Sequence, residues 1–183
     1  MKHSIGLVEL KSTPIGIKTA DEMLKAADVT IPLATPVCPG KFIILAGGEV
    51  AAVDSAVKAA LAAGEIFVVD YTIINNVHKD VMPAFIGLSD IGELNALGSI
   101  ETISAVASVK AGDIVAKAAA VRLIEIRIAR GLGGKGFLTF TGEVAAVQAA
   151  VKACLNELAE SGEVTSAAVI PRPHKDLLSA LSI

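Results

Sequence analysis

Residues 48–59 read GEVAAVDSAVKA and residues 142–153 read GEVAAVQAAVKA, so ten of twelve positions are identical. In the first copy three valines recur at helical spacing, which predicts a helix over residues 49–63 with one apolar face. Gly64 follows this helix and is the expected stop. A nearly identical helix placed twice in one chain indicates an internal duplication.

The segments around this helix also repeat in the same order, in three further pairs. These pairs are IGLVELKS (5–12) with LGSIETIS (97–104), TADEMLKAADV (19–29) with KAGDIVAKAAAV (110–121), and IINNVH (73–78) with VIPRPH (169–174). Chance similarity would not keep this order along the whole chain. We therefore predict two homologous domains, residues 1–90 and residues 91–183.

Hydrophobic periodicity predicts strand, helix, strand, strand, helix, strand in each repeat. In the first repeat the strands are SIGLVEL, VTIPLAT, KFIILAG and EIFVVDYTII, and a short helix over residues 21–27 is entered after Gly16. Pro32 should confine its strand to a sheet edge or a bulge. This order is the ferredoxin-like arrangement, so the expected fold class is α/β (α+β) with two tandem domains.

Composition argues against several classes of function. The chain is 53% hydrophobic and 3% aromatic, and its net charge is −3. It has no basic block and few aromatic stacking surfaces, which argues against nucleic acid as a partner. No apolar run reaches the roughly 18 residues of a membrane span, and we expect a cytosolic protein. GLGGKG (131–136) lacks the Ser or Thr of a phosphate loop, and with no catalytic motif visible we expect no enzyme.

Four segments carry a resemblance to a known family. LGSIET, GDIVAKAAAV, GEVAAVQAAVKA and VIPRPH resemble the shell proteins of bacterial microcompartments, and the resemblance covers nearly the whole chain, twice. The element order is similar to the unpermuted form of that domain. Two domains in one chain imply the tandem type, a pseudohexameric homotrimer. TPVCPGKF (35–42) resembles the iron–sulfur-carrying shell proteins of the propanediol-utilisation type.

The resemblance implies a narrow axis through the ring, lined by the loop between the second and third strands of each repeat. In the first repeat this loop is Pro36, Val37, Cys38, Pro39 and Gly40. In the second repeat it is Arg130, Gly131, Leu132, Gly133 and Gly134. The second loop is rich in glycine, so it could move and gate a larger opening.

The threefold symmetry of such a ring would bring three Cys38 thiols together. A [4Fe–4S] cluster prefers four thiolates, so three would hold three irons and leave the fourth open. We predict one cluster per trimer, with Cys38 as the ligand. A single chain has no C-x₂-C motif, and a zinc ion, an oxidised thiol or a plain pore-lining residue stay open. Cys154 lies at helical spacing with apolar residues and is expected in the core.

Further repeated residues imply contacts at the edge of the ring. Lys25 and Lys117 occupy matching helix positions, and by resemblance they lie between neighbouring oligomers, although a solvated lysine is the plain alternative. Arg172 matches the edge arginine that joins adjacent tiles, and its first-repeat counterpart is Asn76. His78 and His174 should be structural. Glu9 and Glu101 lie in apolar strands and need partners that the sequence does not name.

Three functional hypotheses emerge. The first is a structural shell tile whose pore holds a [4Fe–4S] cluster, for electron transfer or cluster transport across the shell. The second is a metal-free shell trimer with a gated pore for a metabolite. The third is a soluble ferredoxin-like protein that binds a small ligand. The first hypothesis implies a location in a microcompartment shell in the cytoplasm, and as partners other copies of the chain, other shell proteins and redox enzymes inside the shell, with no nucleic acid or membrane.

Overall fold

The repeated segments fold into two copies of one arrangement of strands and helices. The computed structural model describes residues 4–90, 92–128 and 131–181. The first repeat contains the strands β1 (Ser4–Leu10), β2 (Thr30–Val37), β3 (Lys41–Gly48) and β4 (Val68–Ile74), with the helices α1 (Thr13–Ala26), α2 (Val50–Gly64) and α3 (Val81–Ile86). The second repeat contains β5 (Ala96–Thr102), β6 (Val121–Ile128), β7 (Gly136–Gly142) and β8 (Val164–Ile170), with α4 (Ala105–Ala118), α5 (Val144–Glu157) and α6 (Leu177–Leu181).

Each repeat forms its own four-stranded antiparallel sheet. The strand orders are β2-β3-β1-β4 and β6-β7-β5-β8. The first strand of each repeat therefore lies between the third and the fourth: Leu7 of β1 is opposite Leu45 on one side and Thr72 on the other. This topology is the ferredoxin-like one, in unpermuted order. The predicted fold class is confirmed.

A repeated glycine sets how closely the helices approach the sheets. A Cβ added to Gly98 of β5 would lie 2.4 Å from the Phe140 ring and 2.9 Å from Val147 of α5. A Cβ added to Gly6 of β1 would lie 2.5 Å from Val57 of α2. Both distances to the helix are shorter than van der Waals contact, so glycine allows the close approach.

Helix α1 begins at Thr13, and the predicted start at Asp21 is wrong. Pro14 lies in the first turn, where a missing N–H costs no hydrogen bond. Gly16, which suggested a break before the helix, lies inside it and is buried. A Cβ at this position would lie 2.3 Å from the Phe42 ring, so Gly16 allows α1 to pack against β3.

Pro32 has the place that the sequence predicts. Strand β2 is an edge strand of its sheet, and its register with β3 shifts between Thr30 and Leu33. A proline lacks the N–H that a regular ladder uses, and both an edge and an irregularity tolerate that loss. Both parts of the prediction are confirmed.

The described residues group into two compact units by their contacts. The first unit contains residues 4–77 and the loop residues 131–134, and the second contains the rest. Helix α3, which follows the first repeat in sequence, belongs to the second unit and packs against α4 and β6. The predicted division of the domains at residue 90 comes from the sequence repeat and stays a prediction.

Candidate pore and metal site

Cys38 lies at the tip of a three-residue turn between β2 and β3. Val37 and Lys41 are opposite each other in the sheet, so only residues 38–40 connect the two strands. The Cys38 side chain is exposed. Gly40 has a φ of 65°, a left-handed conformation that glycine adopts without strain. The turn therefore presents one thiol to the outside of the unit on a short connection.

The turn is shorter than the predicted loop. Pro36 and Val37 are the last two residues of β2 rather than loop residues. Side chains alternate between the two faces of a strand, and here Pro36 is exposed whereas Val37 is buried. Pro39 and Gly40 flank the thiol and are exposed. The place of all four residues beside a pore stays a prediction.

A buried ion pair lies at the base of the turn. Lys41, the first residue of β3, places its Nζ 2.6 Å from Oε1 of Glu9 on β1. The Glu9 side chain is fully buried, and its second oxygen, Oε2, has no hydrogen-bond partner among the described residues. The pair ties the strand that follows Cys38 to the centre of the sheet, so it restricts movement of the turn.

The second repeat has a longer loop at the matching position, since β6 ends at Ile128 and β7 begins at Gly136. Gly131, Gly133 and Gly134 have φ values of 74°, 62° and 93°, which side-chain-bearing residues rarely adopt. Gly131 and Gly133 are exposed, Leu132 is half-buried and Gly134 is buried. Arg130 lies outside the described residues. The predicted flexible loop is thus built on left-handed glycines.

The two predicted pore loops meet inside the first unit. A Cβ added to Gly134 would lie 3.1 Å from Pro39 Cδ and 3.8 Å from the Cys38 carbonyl oxygen. Glycine at this position therefore lets the second loop lie directly against the Cys38 turn. The structure brings these predicted pore residues together, although they are far apart in sequence.

Glu101 and Lys135 repeat the ion pair of the first domain at the surface. Lys135 Nζ and Thr165 Oγ1 both donate hydrogen bonds to Glu101 Oε1, over 2.8 Å and 2.7 Å. The hydrogen bond from Lys135 and then that from Thr165 hold the pKa of Glu101 below its ordinary value. The sequence showed that Glu9 and Glu101 needed partners. It also contained the signal for them, since a Gly-Lys pair repeats at residues 40–41 and 134–135.

One chain alone does not form a metal site. Within residues 4–90, 92–128 and 131–181, no group of three His, Cys, Asp or Glu side chains is placed to hold a metal ion. Cys154 of α5 is buried, as predicted, and burial raises the pKa of its thiol to about 12. Its thiol is therefore protonated at neutral pH and inert. Cys38 can contribute one thiolate, so a cluster needs ligands from other molecules.

The three predicted edge residues have different surroundings. Lys25 of α1 is exposed, and its Nζ lies 2.5 Å from Asp21 Oδ2 and 3.3 Å from Glu22 Oε1. The hydrogen bond that Lys25 donates to Asp21 is the main cause that raises the pKa of Lys25. Lys117 of α4 lies 2.5 Å from Asp113, whose side chain is almost buried. Arg172 is exposed in the segment after β8. Their contacts with neighbouring tiles stay a prediction.

Comparison with known proteins identifies the family. The model of the BMC domain matches this chain twice, over residues 4–77 and 96–173. This chain belongs to the BMC-domain family. The match confirms the predicted tandem arrangement.

Relatives of this BMC-domain chain place it among the shell proteins. It is 36% identical to the bacterial microcompartment shell protein PduT of Citrobacter freundii, over 97% of this chain and 96% of that protein. It is 42% identical to the shell protein EutM of Salmonella typhimurium, over 46% of this chain and 85% of that protein. The crystal structure of a microcompartment protein from Desulfitobacterium hafniense superposes with a TM-score of 0.91, at 45% identity, and covers 98% of this chain and 99% of that one.

The BMC-domain chain is therefore a structural shell protein of the PduT type. This membership favours the two shell hypotheses over a soluble small-ligand binding protein. Among the described residues, no helix has the length and apolar character needed to cross a membrane.

Proposed function

We propose that this shell protein assembles as a homotrimer in the shell of a bacterial microcompartment in the cytoplasm, and that its threefold axis holds one [4Fe–4S] cluster. The duplicated fold supports the trimer, because three chains with two similar domains each give six nearly equivalent positions around a ring. Other shell proteins would be its lateral neighbours. The role is structural, with no catalytic reaction of its own.

The exposed Cys38 carries the cluster proposal. It is one of two cysteines in the chain, and it alone is exposed. Three copies of Cys38 would supply three thiolates, which leaves one iron of the cluster to another ligand. The ion pair of Lys41 with Glu9 and the short turn favour a fixed position for each thiol. When bound, the cluster would supply one-electron chemistry, for transfer of electrons or of the cluster itself across the shell, with redox enzymes inside as partners.

The test is iron and acid-labile sulfide analysis of protein purified without oxygen, together with its mass by native mass spectrometry. We expect a brown trimer with about four irons and four sulfides, the content of one [4Fe–4S] cluster. Cys38→Ser should remain trimeric and lose the colour. Cys154→Ala is the matched control and should keep the cluster, because its buried thiol lies in the core of the second unit.

A metal-free trimer with a gated pore is the second candidate. The glycine loop favours it, since nothing lies within 4 Å of a Cβ placed on Gly131 or Gly133. Such a loop has room to change conformation and widen an opening. A colourless, iron-free trimer from anaerobic purification would support this candidate and reject the cluster.

A further inference from the structure

The segment that follows the first repeat, residues 78–86 with helix α3, packs on helix α4. Within the second unit, α3 packs against α4 and β6, and its Val81 and Ala84 are buried. The backbone N–H of His78, just before α3, donates a hydrogen bond to Asp113 Oδ1 of α4 over 2.7 Å. The other oxygen of Asp113, Oδ2, accepts from Lys117. Asp113 thus fixes the start of the docked segment.

The segment after the second repeat has the same local structure. Residues 78–80 and 174–176 both read His-Lys-Asp. In each copy the histidine Nδ1 accepts a hydrogen bond of 3.3 Å from the aspartate N–H, and a short helix follows at once. The exposure of the two segments differs, however. Ala180 is exposed, whereas its counterpart Ala84 is buried, and Leu181 is exposed as well.

Helix α1 is the sequence counterpart of α4, and it has an exposed apolar face. With an offset of 92 residues, Ile17 corresponds to Val109 and Leu24 to Ala116. Ile17 is 60% and Leu24 52% exposed, whereas Val109 and Ala116 are buried. These two positions are four residues before and three residues after the aspartate, so all three lie on one face of the helix.

The same hydrogen-bonding group lies in the centre of that exposed face. Asp21 corresponds to Asp113, and Lys25 contacts its Oδ2 as Lys117 contacts Oδ2 of Asp113. The Asp21 side chain is 58% exposed. Within the described residues, the first repeat therefore has an exposed helix face like the one that α3 covers on α4, and Ala180 and Leu181 of the matching segment in the second repeat are exposed as well.

We propose that residues 174–181 of a second copy dock on the α1 face formed by Ile17, Asp21 and Leu24. The His174 N–H of the second copy donates to Asp21, as His78 does to Asp113, and the apolar residues of α6 cover Ile17 and Leu24. This contact is head-to-tail, and three such contacts close a ring. The inference rests on the trimer of the proposed function and assigns the residues that hold it together.

A negative charge introduced into the face tests its apolar part. Ile17→Asp places a carboxylate beside Asp21 in the contact, so we expect loss of the trimer by light scattering at concentrations where the wild type is trimeric. Because Ile17 is exposed in the single chain, the substitution should leave the fold intact, and the circular dichroism spectrum of the variant should match that of the wild type. Ile66→Asp is the matched control, since Ile66 is 76% exposed and lies outside this face. A trimeric Ile17→Asp variant would overturn the proposal.

Disulfide trapping tests the contact itself. Asp21→Cys with His174→Cys, made in a Cys38→Ser background, should give covalent dimers and trimers under oxidation on non-reducing gels. Asp54→Cys with His174→Cys is the control pair, since the Asp54 side chain on α2 is 45% exposed and lies outside this face, and it should give monomers. Cross-links within one chain, or none in a protein that is trimeric by native mass spectrometry, would overturn the docking and leave the proposed function intact. A monomeric wild type would overturn both.

Discussion

The Nζ of Lys41 lies 2.6 Å from Oε1 of Glu9, beneath the turn that carries Cys38. The second repeat has the same pair, Lys135 with Glu101, at 2.8 Å. Glu9 is fully buried, whereas the Glu101 side chain is 35% exposed. The duplication has therefore placed one ion pair in two environments within a single chain.

Removing the lysine should cost more in the first repeat than in the second. Lys41→Ala leaves the Glu9 carboxylate buried without a counter-charge, so we expect the free energy of unfolding to fall by about 3–5 kcal/mol. Lys135→Ala is the matched control and should cost less than about 1 kcal/mol, since Glu101 keeps water and Thr165. Urea unfolding of both variants measures the difference. Equal losses would contradict the difference in environment.

The Glu101 pair should stabilise the fold at neutral pH and not in acid. Its folded-state pKa is lowered from 4.5, mainly by the hydrogen bond from Lys135. The stabilisation is therefore fully present above the unfolded-state pKa and is lost as the pH falls through the lower folded-state value. We expect Glu101→Gln to be less stable than the wild type by roughly 0.5 kcal/mol at neutral pH.

This difference should shrink as the pH falls below the ordinary pKa of 4.5 and the carboxylate takes up a proton. Urea unfolding along a pH series measures it. A difference that grows in acid would contradict the direction of the shift.

The two cysteines should differ sharply in reactivity. Cys38 is exposed, whereas burial raises the pKa of Cys154 to about 12, so one thiol per chain should react with a disulfide reagent in the native, metal-free protein. Both should react after unfolding. The native Cys38→Ser variant should have no thiol that reacts quickly with the reagent. Two fast thiols in the native wild type would mean that α5 opens in solution.

A methyl group at Gly98 should destabilise the second domain. Its Cβ would lie 2.4 Å from the Phe140 ring and 2.9 Å from Val147, so either the helix or the ring must move. We expect Gly98→Ala to cost about 1–3 kcal/mol in thermal or urea unfolding. Gly47→Ala is the control in a strand of the first repeat, where the nearest atom to the new Cβ, Thr30 Oγ1, is 3.6 Å away. A loss as large in the control would point to backbone effects instead.

The duplication made the fold readable from the sequence. The near-identical helices α2 and α5, and the apolar strands around them, fixed the element order in each repeat. Pro32 indicated the edge strand correctly, because the loss of one backbone donor is a local property. Gly16 misled the prediction of α1, since a glycine inside a helix can serve a contact with a distant side chain, here Phe42.

Contacts between distant elements were the part that the sequence did not specify. The partner of Glu9 depends on the register of β1 with β3, which a single strand does not encode. The hydrogen bond from His78 to Asp113 depends on α3 leaving its own repeat to pack on α4. Lys41 does repeat as Lys135, and Asp113 repeats Asp21. The sequence therefore marked these residues as repeated, but it did not identify the residue that each one contacts.

The tight Cys38 turn in one half and the glycine loop in the other also bear on how such an assembly evolves. In six separate, identical domains, any change at this connection would be copied six times around the axis. A fused gene lets one half mutate while its twin stays as it was, and in the proposed trimer the thiol then occurs three times. After fusion, the number of thiol ligands no longer has to equal the number of domains. The three positions between the thiols can then carry a different loop, here the glycine loop of the second repeat.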